Sequence, residues 1–369
     1  MASAGAAWIL NGGGPGFGTA CGSGFRTQEG MGKAVGNRLD RRIDALVVVG
    51  GDGSLTGANE FREGWPGVVA ELVESGEVTA EVAASHPFLR LVGLVGSIDN
   101  DMSGTDMTIG VDTALHRIVE ALDSIRSAAS SHQRTFVVEV MGRRCGYLAL
   151  TAGLATAANW LLIPEHLPEG EDWAQTMCAA MRAGHEIGRR QSLVIVAEGA
   201  QSGDGERITV DRVKEVLEDQ LGEDTRVTIL GHVQRGGAPS AYDRCLATLL
   251  GHAAVERLLA DPPYAVPQLI GIRGNQVACS PLMECLAQTH EVAERTGRHD
   301  YERAILLRGD RFHPSPPILN TRQQSAPRHT APGHRPPRLP GFTARGPPPR
   351  MTSASRRPLR APRHRVDRT

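Results

Sequence analysis

The sequence lacks any apolar run long enough to cross a membrane. Its hydrophobic stretches all fall short of the ~18–20 uninterrupted residues that a membrane helix requires. The first eleven residues also lack the basic start and long apolar stretch of a secretory signal. We therefore expect a cytoplasmic protein with no membrane partner.

Cysteine is scarce, and its spacing argues against two further classes. The six cysteines form no CxxC pair, which speaks against a structural zinc site and against a disulfide-stabilised secreted domain. We predict that all six are buried thiols. They are Cys21, Cys145, Cys178, Cys245, Cys279 and Cys285.

Net charge is almost absent, but the charge is unevenly spread over the 369 residues. Lys and Arg number 40 against 41 Asp and Glu. Residues 314–369 hold twelve arginines against one acid, and thirteen of the 23 prolines. The rest of the chain is therefore acidic, which argues against a nucleic-acid partner. The Pro/Arg-rich tail has too few apolar side chains to offset the entropy of ordering, and we expect it to be disordered.

Short apolar runs alternate with helix-length segments from residue 44 to residue 273. This pattern is typical of α/β proteins, in which helices cover a parallel sheet. Strands are predicted at residues 45–49, 89–95, 135–140, 160–163, 193–197, 227–230 and 268–272. Helices are predicted at residues 113–129, 145–158, 173–189, 211–220 and 241–259.

A glycine-rich turn follows the first predicted strand. Gly50-Gly51-Asp52-Gly53-Ser54 separates that strand from a helix predicted to begin at Leu55. Glycines here let the backbone approach a phosphate chain, and the start of the helix favours negative charge. Asp52 could then hold Mg²⁺ that bridges the phosphates. The alternative is an ordinary turn that needs Gly and Asp for backbone reasons only.

Two carboxylates follow the second predicted strand, in the segment GSIDND at residues 96–101. Open α/β sheets bind ligands at the carboxyl ends of their strands. One carboxylate could accept a hydroxyl proton while the other supports the water shell of a metal, as phosphoryl transfer to an alcohol requires. The alternative is a turn capped by Asp and Asn side chains.

Arginines, a histidine and a glutamate recur beside the later strands. Because each cluster follows or ends a predicted strand, we expect all of them to reach one edge of the sheet. Together they could bind a phosphate monoester and sugar hydroxyls, although each arginine alone could belong to a surface ion pair. The set is Arg134, Met141, Gly142, Arg143, Glu198, Arg226, His232 and Arg235.

Five motifs in this order resemble those of the 6-phosphofructokinase family. They are VVVGGDGSLTGA (47–58), GLVGSIDNDMSGTDMTIG (93–110), SHQRTFVVEVMGRRCGYLAL (131–150), IVAEGA (195–200) and TRVTILGHVQRGGAPSAYDR (225–244). The resemblance covers residues 12–312 and is strongest to the amino-terminal half of the eukaryotic-type enzymes. It implies two stacked Rossmann-like α/β domains with mostly parallel sheets. The implied divisions are a nucleotide-binding domain at 1–130, incomplete at its start, a sugar-phosphate-binding domain at 131–260, elements at 261–313 that pack back on the body, and the tail at 314–369.

The resemblance implies phosphoryl transfer from Mg²⁺-ATP to the 1-hydroxyl of fructose 6-phosphate by an allosteric glycolytic enzyme. Asp99 would be the base. ATP would contact Arg26, Gly51, Asp52, Gly53 and Ser54, with Asp52 at Mg²⁺. The sugar phosphate would contact Ser97, Ile98, Asp101, Met141, Gly142, Arg143, Glu198, His232 and Arg235. Arg134 and Arg226 would reach into a neighbouring subunit's site, which implies a homo-oligomer.

Two small residues bear on the phosphoryl donor. Pyrophosphate-using relatives carry an Asp where Gly53 stands and a Lys where Gly96 stands. The resemblance therefore implies ATP as the donor and makes pyrophosphate the less favoured alternative.

The sequence departs from the family near its amino end. Residues 8–26 resemble a segment that lies further along in family members, so we expect the first nucleotide-contacting loop to be missing. Cys21 stands where the family places an arginine against the transferring phosphate. A second hypothesis is therefore a truncated, noncatalytic homologue that binds sugar phosphate or assembles with a full-length subunit.

Overall fold

Two four-stranded sheets form the framework of the computed structural model, which describes residues 27–132, 134–166, 172–188, 192–298 and 300–308. One sheet contains β1 (Ala45–Gly50), β2 (Arg90–Val95), β7 (Gln268–Arg273) and β8 (Gln276–Pro281), in that spatial order. The other contains β3 (Thr135–Val140), β4 (Trp160–Leu162), β5 (Ser192–Ala197) and β6 (Thr225–Ile229), in the spatial order β4-β5-β3-β6. All neighbouring strands are parallel except β7 and β8. The tail predicted to be disordered, residues 314–369, lies outside the described residues.

Helices connect and cover these strands. They are α1 (Gln28–Leu39), α2 (Asp52–Glu74), α3 (Ala80–Ser85), α4 (Val111–His132), α5 (Tyr147–Thr156), α6 (Trp173–Glu186), α7 (Val210–Leu221), α8 (Ala241–Ala260), α9 (Leu282–Gly297) and α10 (Tyr301–Arg308). Side chains of Thr27, Thr79, Asp172, Thr209 and Ser240 accept backbone N–H groups where their helices begin. Among the described helices, none is both long enough and apolar enough to cross a membrane.

The inner strands of both sheets are covered on both faces, whereas β1 leaves Val47 and Val49 exposed. On the second sheet, Ile118 and Leu122 of α4 pack with Val138 of β3 on one side, while Met177 of α6 and Val213 of α7 pack on the other. On the first sheet, β2 is buried along nearly its whole length, between clusters that include α9 on one side and α8 on the other. Burial on both faces explains why these strands read as continuous apolar runs rather than alternating ones. The α/β prediction is confirmed.

The prediction that all six cysteines are buried is wrong for two of them. Cys245 and Cys279 are exposed, because Cys245 lies on the outer face of α8 and Cys279 lies on the edge strand β8. Cys145, Cys178 and Cys285 are buried as predicted. Cys21 lies outside the described residues.

Candidate active site

The glycine-rich turn lies at the carboxyl end of β1. The helix that follows begins at Asp52, three residues earlier than predicted, and among the described residues no side chain caps its start at Gly51. Gly50 leaves no room for a side chain, since a Cβ there would lie 2.6 Å from the Cβ of Ser54. Uncapped backbone N–H groups at a helix start attract anions, so this turn is suited to a phosphate group.

Asp99 follows β2 and is almost wholly buried, with 4% of the residue exposed. Its Oδ2 lies 3.5 Å from Nε of Arg143. Its Oδ1 is buried without a hydrogen-bond partner in the part of the chain that the structure describes. A buried carboxylate oxygen without a partner is costly, so the charged form of Asp99 is disfavoured at this position in the cleft lining.

The environment of Asp99 also changes its acidity. Burial raises the pKa of Asp99 to about 6, and the neighbouring Asp101 carboxylate adds to that rise. The Arg143 and Arg235 guanidiniums oppose the rise, while Glu198 adds to it. Since a general base works best when its pKa lies near the operating pH, this shift brings Asp99 toward the range of a useful proton acceptor.

Hydrogen bonds fix the turn that carries Asp99. Ser97 Oγ accepts the Asp99 N–H at 3.2 Å and donates to Oδ1 of Asp101 at 3.3 Å. Asn100 has a left-handed φ of 54°, and its side chain bridges the Asp106 carbonyl and the Thr108 N–H. The two carboxylates are therefore held in one constrained turn.

The second sheet contributes Arg143 through a similarly constrained turn after β3. Oε1 of Glu198, which follows β5, accepts the backbone N–H groups of both Gly142 and Arg143. Both residues have positive φ, 146° and 51°. A Cβ at Gly142 would lie 2.3 Å from the Cys145 carbonyl oxygen, which explains the glycine. Glu198 thus holds the backbone on which Arg143 reaches the site.

A short 3₁₀ helix, Gly231–Arg235, follows β6 and carries Arg235. Its buried Gln234 accepts the Met141 N–H through Oε1 and donates to the Gly231 carbonyl. This contact ties the 3₁₀ helix to the end of β3. Arg235 lines the candidate site, whereas His232 is exposed and lies outside its lining.

These turns surround a cleft of about 730 Å³. The predicted residues that line it are Gly51, Asp52, Gly53, Ser97, Ile98, Asp99, Asp101, Arg143 and Arg235. Met141, Gly142 and Glu198 support this lining through the backbone contacts described above, and Ser54 lies in the first turn of α2 outside it. Arg26, the remaining predicted nucleotide contact, lies outside the described residues.

The expectation that all the later clusters reach one edge of the sheet is wrong. Arg134 precedes β3 and Arg226 is the second residue of β6, so both lie at the amino ends of their strands. Met141 and Arg143 follow the carboxyl end of β3. At ~3.3 Å per strand residue, the two ends of β3 are separated by roughly 20 Å. Arg134 and Arg226 instead share Asp224, at 2.6 and 3.0 Å.

Helix α9 lines the cleft although no role was predicted for it. It contributes Thr289, His290, Val292 and Ala293. Apolar residues at 282, 285, 286 and 292 have helical spacing, so the helix itself was predictable, but nothing in the sequence indicates that it reaches the turn at Asp52. Arg144 is a further lining residue that was not predicted.

Asp52 and Asp101 are the lining carboxylates that are suited to Mg²⁺. Among the described residues, no group of three or more His, Cys, Asp or Glu side chains could hold a metal ion alone. Mg²⁺ commonly takes one or two carboxylates and completes its shell with water and phosphate oxygens. The side chains present therefore fit a metal that arrives together with a phosphorylated ligand.

Fold and cleft together define the class: an α/β protein whose two mostly parallel sheets present carboxylates and arginines to a common cleft. The family model described as Phosphofructokinase matches residues 1–258. The human platelet-type ATP-dependent 6-phosphofructokinase is 49% identical over 82% of this chain and 39% of its own length. The chain therefore belongs to the phosphofructokinase family, which confirms the resemblance to the eukaryotic-type enzymes.

Two solved structures extend the comparison. The phosphofructokinase from Saccharomyces cerevisiae matches with a TM-score of 0.80 and 44% identity, over 82% of this chain and 40% of that chain. A pyrophosphate-dependent phosphofructokinase from Marinobacter aquaeolei shares the fold, with a TM-score of 0.55 and 23% identity over 74% of this chain and 66% of that one. The chain spans about two fifths of the length of the curated relatives it matches.

Proposed function

We propose that this chain transfers the γ-phosphoryl group of ATP to the 1-hydroxyl of fructose 6-phosphate, a step of glycolysis in the cytoplasm. The observation that carries the proposal is the buried Asp99, which lines a cleft together with an uncapped helix start and the arginines Arg143 and Arg235. The human relative at 49% identity is named an ATP-dependent 6-phosphofructokinase, which supports the same reaction.

In the proposed reaction, the Asp99 carboxylate accepts the proton of the sugar hydroxyl as the hydroxyl oxygen attacks the γ-phosphorus. The bond from that phosphorus to the bridging oxygen of ADP breaks, and ADP leaves with the electron pair. Arg143 and Arg235 stabilise the negative charge of the bound sugar phosphate. When bound, Mg²⁺ neutralises charge on the donor phosphates, and Asp52 is the residue that would hold it.

The proposal divides the site between the two sheets. Residues 1–130, with the turn at Asp52, belong to the nucleotide side. Residues 131–260, with Met141, Arg143 and Arg235, belong to the sugar-phosphate side. Ser97, Ile98 and Asp101 would contact the sugar beside Asp99, and Glu198 and His232 complete the proposed set. Arg134 and Arg226 would serve a neighbouring subunit of a homo-oligomer, because they lie at the far end of the second sheet.

The space around two glycines favours ATP over pyrophosphate. A Cβ at Gly53 would meet no atom within 4 Å, so the position faces open space that a nucleoside can use and that a larger side chain would fill. A Cβ at Gly96 would lie 3.0 Å from Cγ1 of Val49. A side chain at position 96 would therefore require Val49 to shift by a few tenths of an ångström, so this position favours a small residue.

The proposed reaction is tested by assaying fructose 1,6-bisphosphate formation from fructose 6-phosphate with Mg²⁺-ATP and, separately, with pyrophosphate. We expect product with ATP only. The Asp99→Asn variant should lose about 10²–10⁴-fold in turnover while it retains fructose 6-phosphate binding, because only proton removal is impaired. Product with pyrophosphate alone would select the alternative donor. Sugar-phosphate binding by the folded chain without turnover on either donor would select the noncatalytic homologue.

A further inference from the structure

His290 on α9 makes a contact that none of the predicted roles explains. Its Nε2 lies 2.8 Å from Oδ1 of Asp52, the first residue of α2. The same oxygen accepts a hydrogen bond from Thr56 Oγ1 at 3.2 Å, one turn further along α2. A carboxylate only accepts hydrogen bonds, so Nε2 of His290 carries the proton in this contact. Oδ1 is therefore held by donors from two helices.

The hydrogen bonds from His290 and Thr56 leave the second carboxylate oxygen of Asp52, Oδ2, available. Oδ2 has no hydrogen-bond or ion-pair partner in the part of the chain that the structure describes, and the residue lines the cleft. The Asp52 side chain is 41% exposed, so packing alone would leave it more than one rotamer. His290 and Thr56 restrict this freedom while leaving Oδ2 available to a ligand.

Packing and a hydrogen bond hold helix α9 in place for this contact. Leu282, Cys285 and Leu286 are buried in the core beneath the first sheet. Oγ1 of Thr289 accepts the Ser103 N–H at 2.9 Å, two residues beyond Asp101. One packed helix is thus bonded both to Asp52 and to the segment that carries Asp99 and Asp101.

We propose that His290 is a positioning residue for the divalent metal–nucleoside diphosphate part of the donor. It fixes Asp52 in the conformation that presents Oδ2 to the metal. The inference rests on the proposed function, because it assumes that Asp52 binds a metal-loaded nucleotide. A carboxylate that is already ordered loses less rotamer freedom when it binds its ligand, so removal of His290 weakens binding without removing the ligand atom itself.

The test measures ADP binding to the full chain by calorimetry, once with Mg²⁺ and once with excess chelator. His290→Ala should weaken Mg²⁺-ADP binding about three- to tenfold, the range expected for one net hydrogen bond, and should leave metal-free ADP binding unchanged. His290→Gln keeps an N–H donor of similar reach and should restore most of the affinity. The matched control is His252→Ala, since His252 is an exposed histidine that contacts Glu256 on α8, outside the cleft.

The outcomes separate this inference from the proposed function. The role of His290 would be overturned if His290→Ala bound Mg²⁺-ADP as tightly as the unaltered chain or more tightly. It would also be overturned if the variant lost the same affinity for ADP with and without metal. In both cases nucleotide binding by the unaltered chain would still stand. Failure of the glutamine variant to restore affinity would also count against it. Absence of metal-dependent ADP binding in the folded, unaltered chain would overturn both proposals.

Discussion

At the scale of single residues, Asp99 shows how surroundings change a carboxyl group. The apolar run before the segment GSIDND predicted that Asp99 and Asp101 follow a strand. The raised pKa and the unpartnered Oδ1 were not predictable, because they depend on burial and on Arg143, Arg235 and Glu198 from the other sheet. Residue type and spacing identified the group, but its chemistry arises from residues distant in the sequence.

The raised pKa predicts how stability depends on pH. Burial raises the pKa of Asp99 in the folded chain to about 6, above its ordinary value of 3.8. Between these values the folded state keeps a proton that the unfolded state has lost, so Asp99 lowers stability as pH rises through this window. Asp99→Asn should therefore be more stable than the unaltered chain at pH 7.5, by up to roughly 3 kcal/mol.

Denaturant unfolding of both proteins at pH 4.5 and pH 7.5 measures this difference. The stability advantage of Asp99→Asn should shrink markedly at the lower pH. An advantage that is absent at pH 7.5, or constant across the range, would contradict the assigned environment of Asp99.

At the scale of elements, the constrained turn after β3 depends on the neighbouring turn after β5. A Cβ at Gly199 would lie 1.9 Å from the Arg143 carbonyl oxygen, far inside van der Waals contact. Gly199→Ala should therefore displace Arg143 and weaken fructose 6-phosphate binding about tenfold or more, since small misplacements of binding groups are costly. Isothermal titration with fructose 6-phosphate measures the change.

A second glycine in the same loop is the control for this prediction. A Cβ at Gly203 would meet no atom within 4 Å, so Gly203→Ala should bind fructose 6-phosphate as the unaltered chain does. If the two variants bind equally well, the steric dependence of Arg143 on Gly199 is wrong.

The apolar runs were sufficient to predict seven of the strands. For inner strands such as β2 and β5, burial on both faces selects continuous hydrophobic sequence; β1 is an apolar run although Val47 and Val49 are exposed. The eighth strand, β8, was missed because its sequence QVACSP includes polar residues and a proline and it lies at a sheet edge. A signal was present in the turn before it. Gly274 and Asn275 both have positive φ, 55° and 64°, and such a two-residue Gly-Asn turn is typical of a hairpin.

At the scale of the whole molecule, the direction of the strands determines which groups can share a site. Arg134 and Arg226 precede or begin their strands, whereas Arg143 and Arg235 follow theirs. The sequence already contained this order, so the separation of the two pairs follows from the parallel arrangement of β3 and β6. What the sequence could not supply is the shared Asp224 that holds both arginines in place.

This separation predicts complementation between two inactive variants. If a sugar phosphate receives Asp99 from one subunit and Arg226 from another, Asp99→Asn and Arg226→Ala should each lose activity. When the two variants are unfolded and refolded together, half of the randomly formed dimers would be hybrids. Each hybrid has one intact site out of two, so the mixture should show roughly a quarter of the unaltered activity. Separately refolded variants, mixed only in the assay, are the control. No recovery in the co-refolded mixture would argue against sites shared between subunits.

The two sheets also differ in how they are distributed along the chain. All four strands of the second sheet fall within residues 135–229, whereas the first sheet joins β1 and β2 to β7 and β8 from residues 268–281. The ribosome therefore synthesises every strand of the second sheet before it synthesises β7. In the first sheet, β7 pairs with β2. During synthesis, the second sheet can therefore assemble while β2 is paired with β1 alone and its other edge is still unpaired. β2 is apolar and buried in the finished fold, so until residue 268 emerges its unpaired edge and apolar faces expose the nascent chain to aggregation.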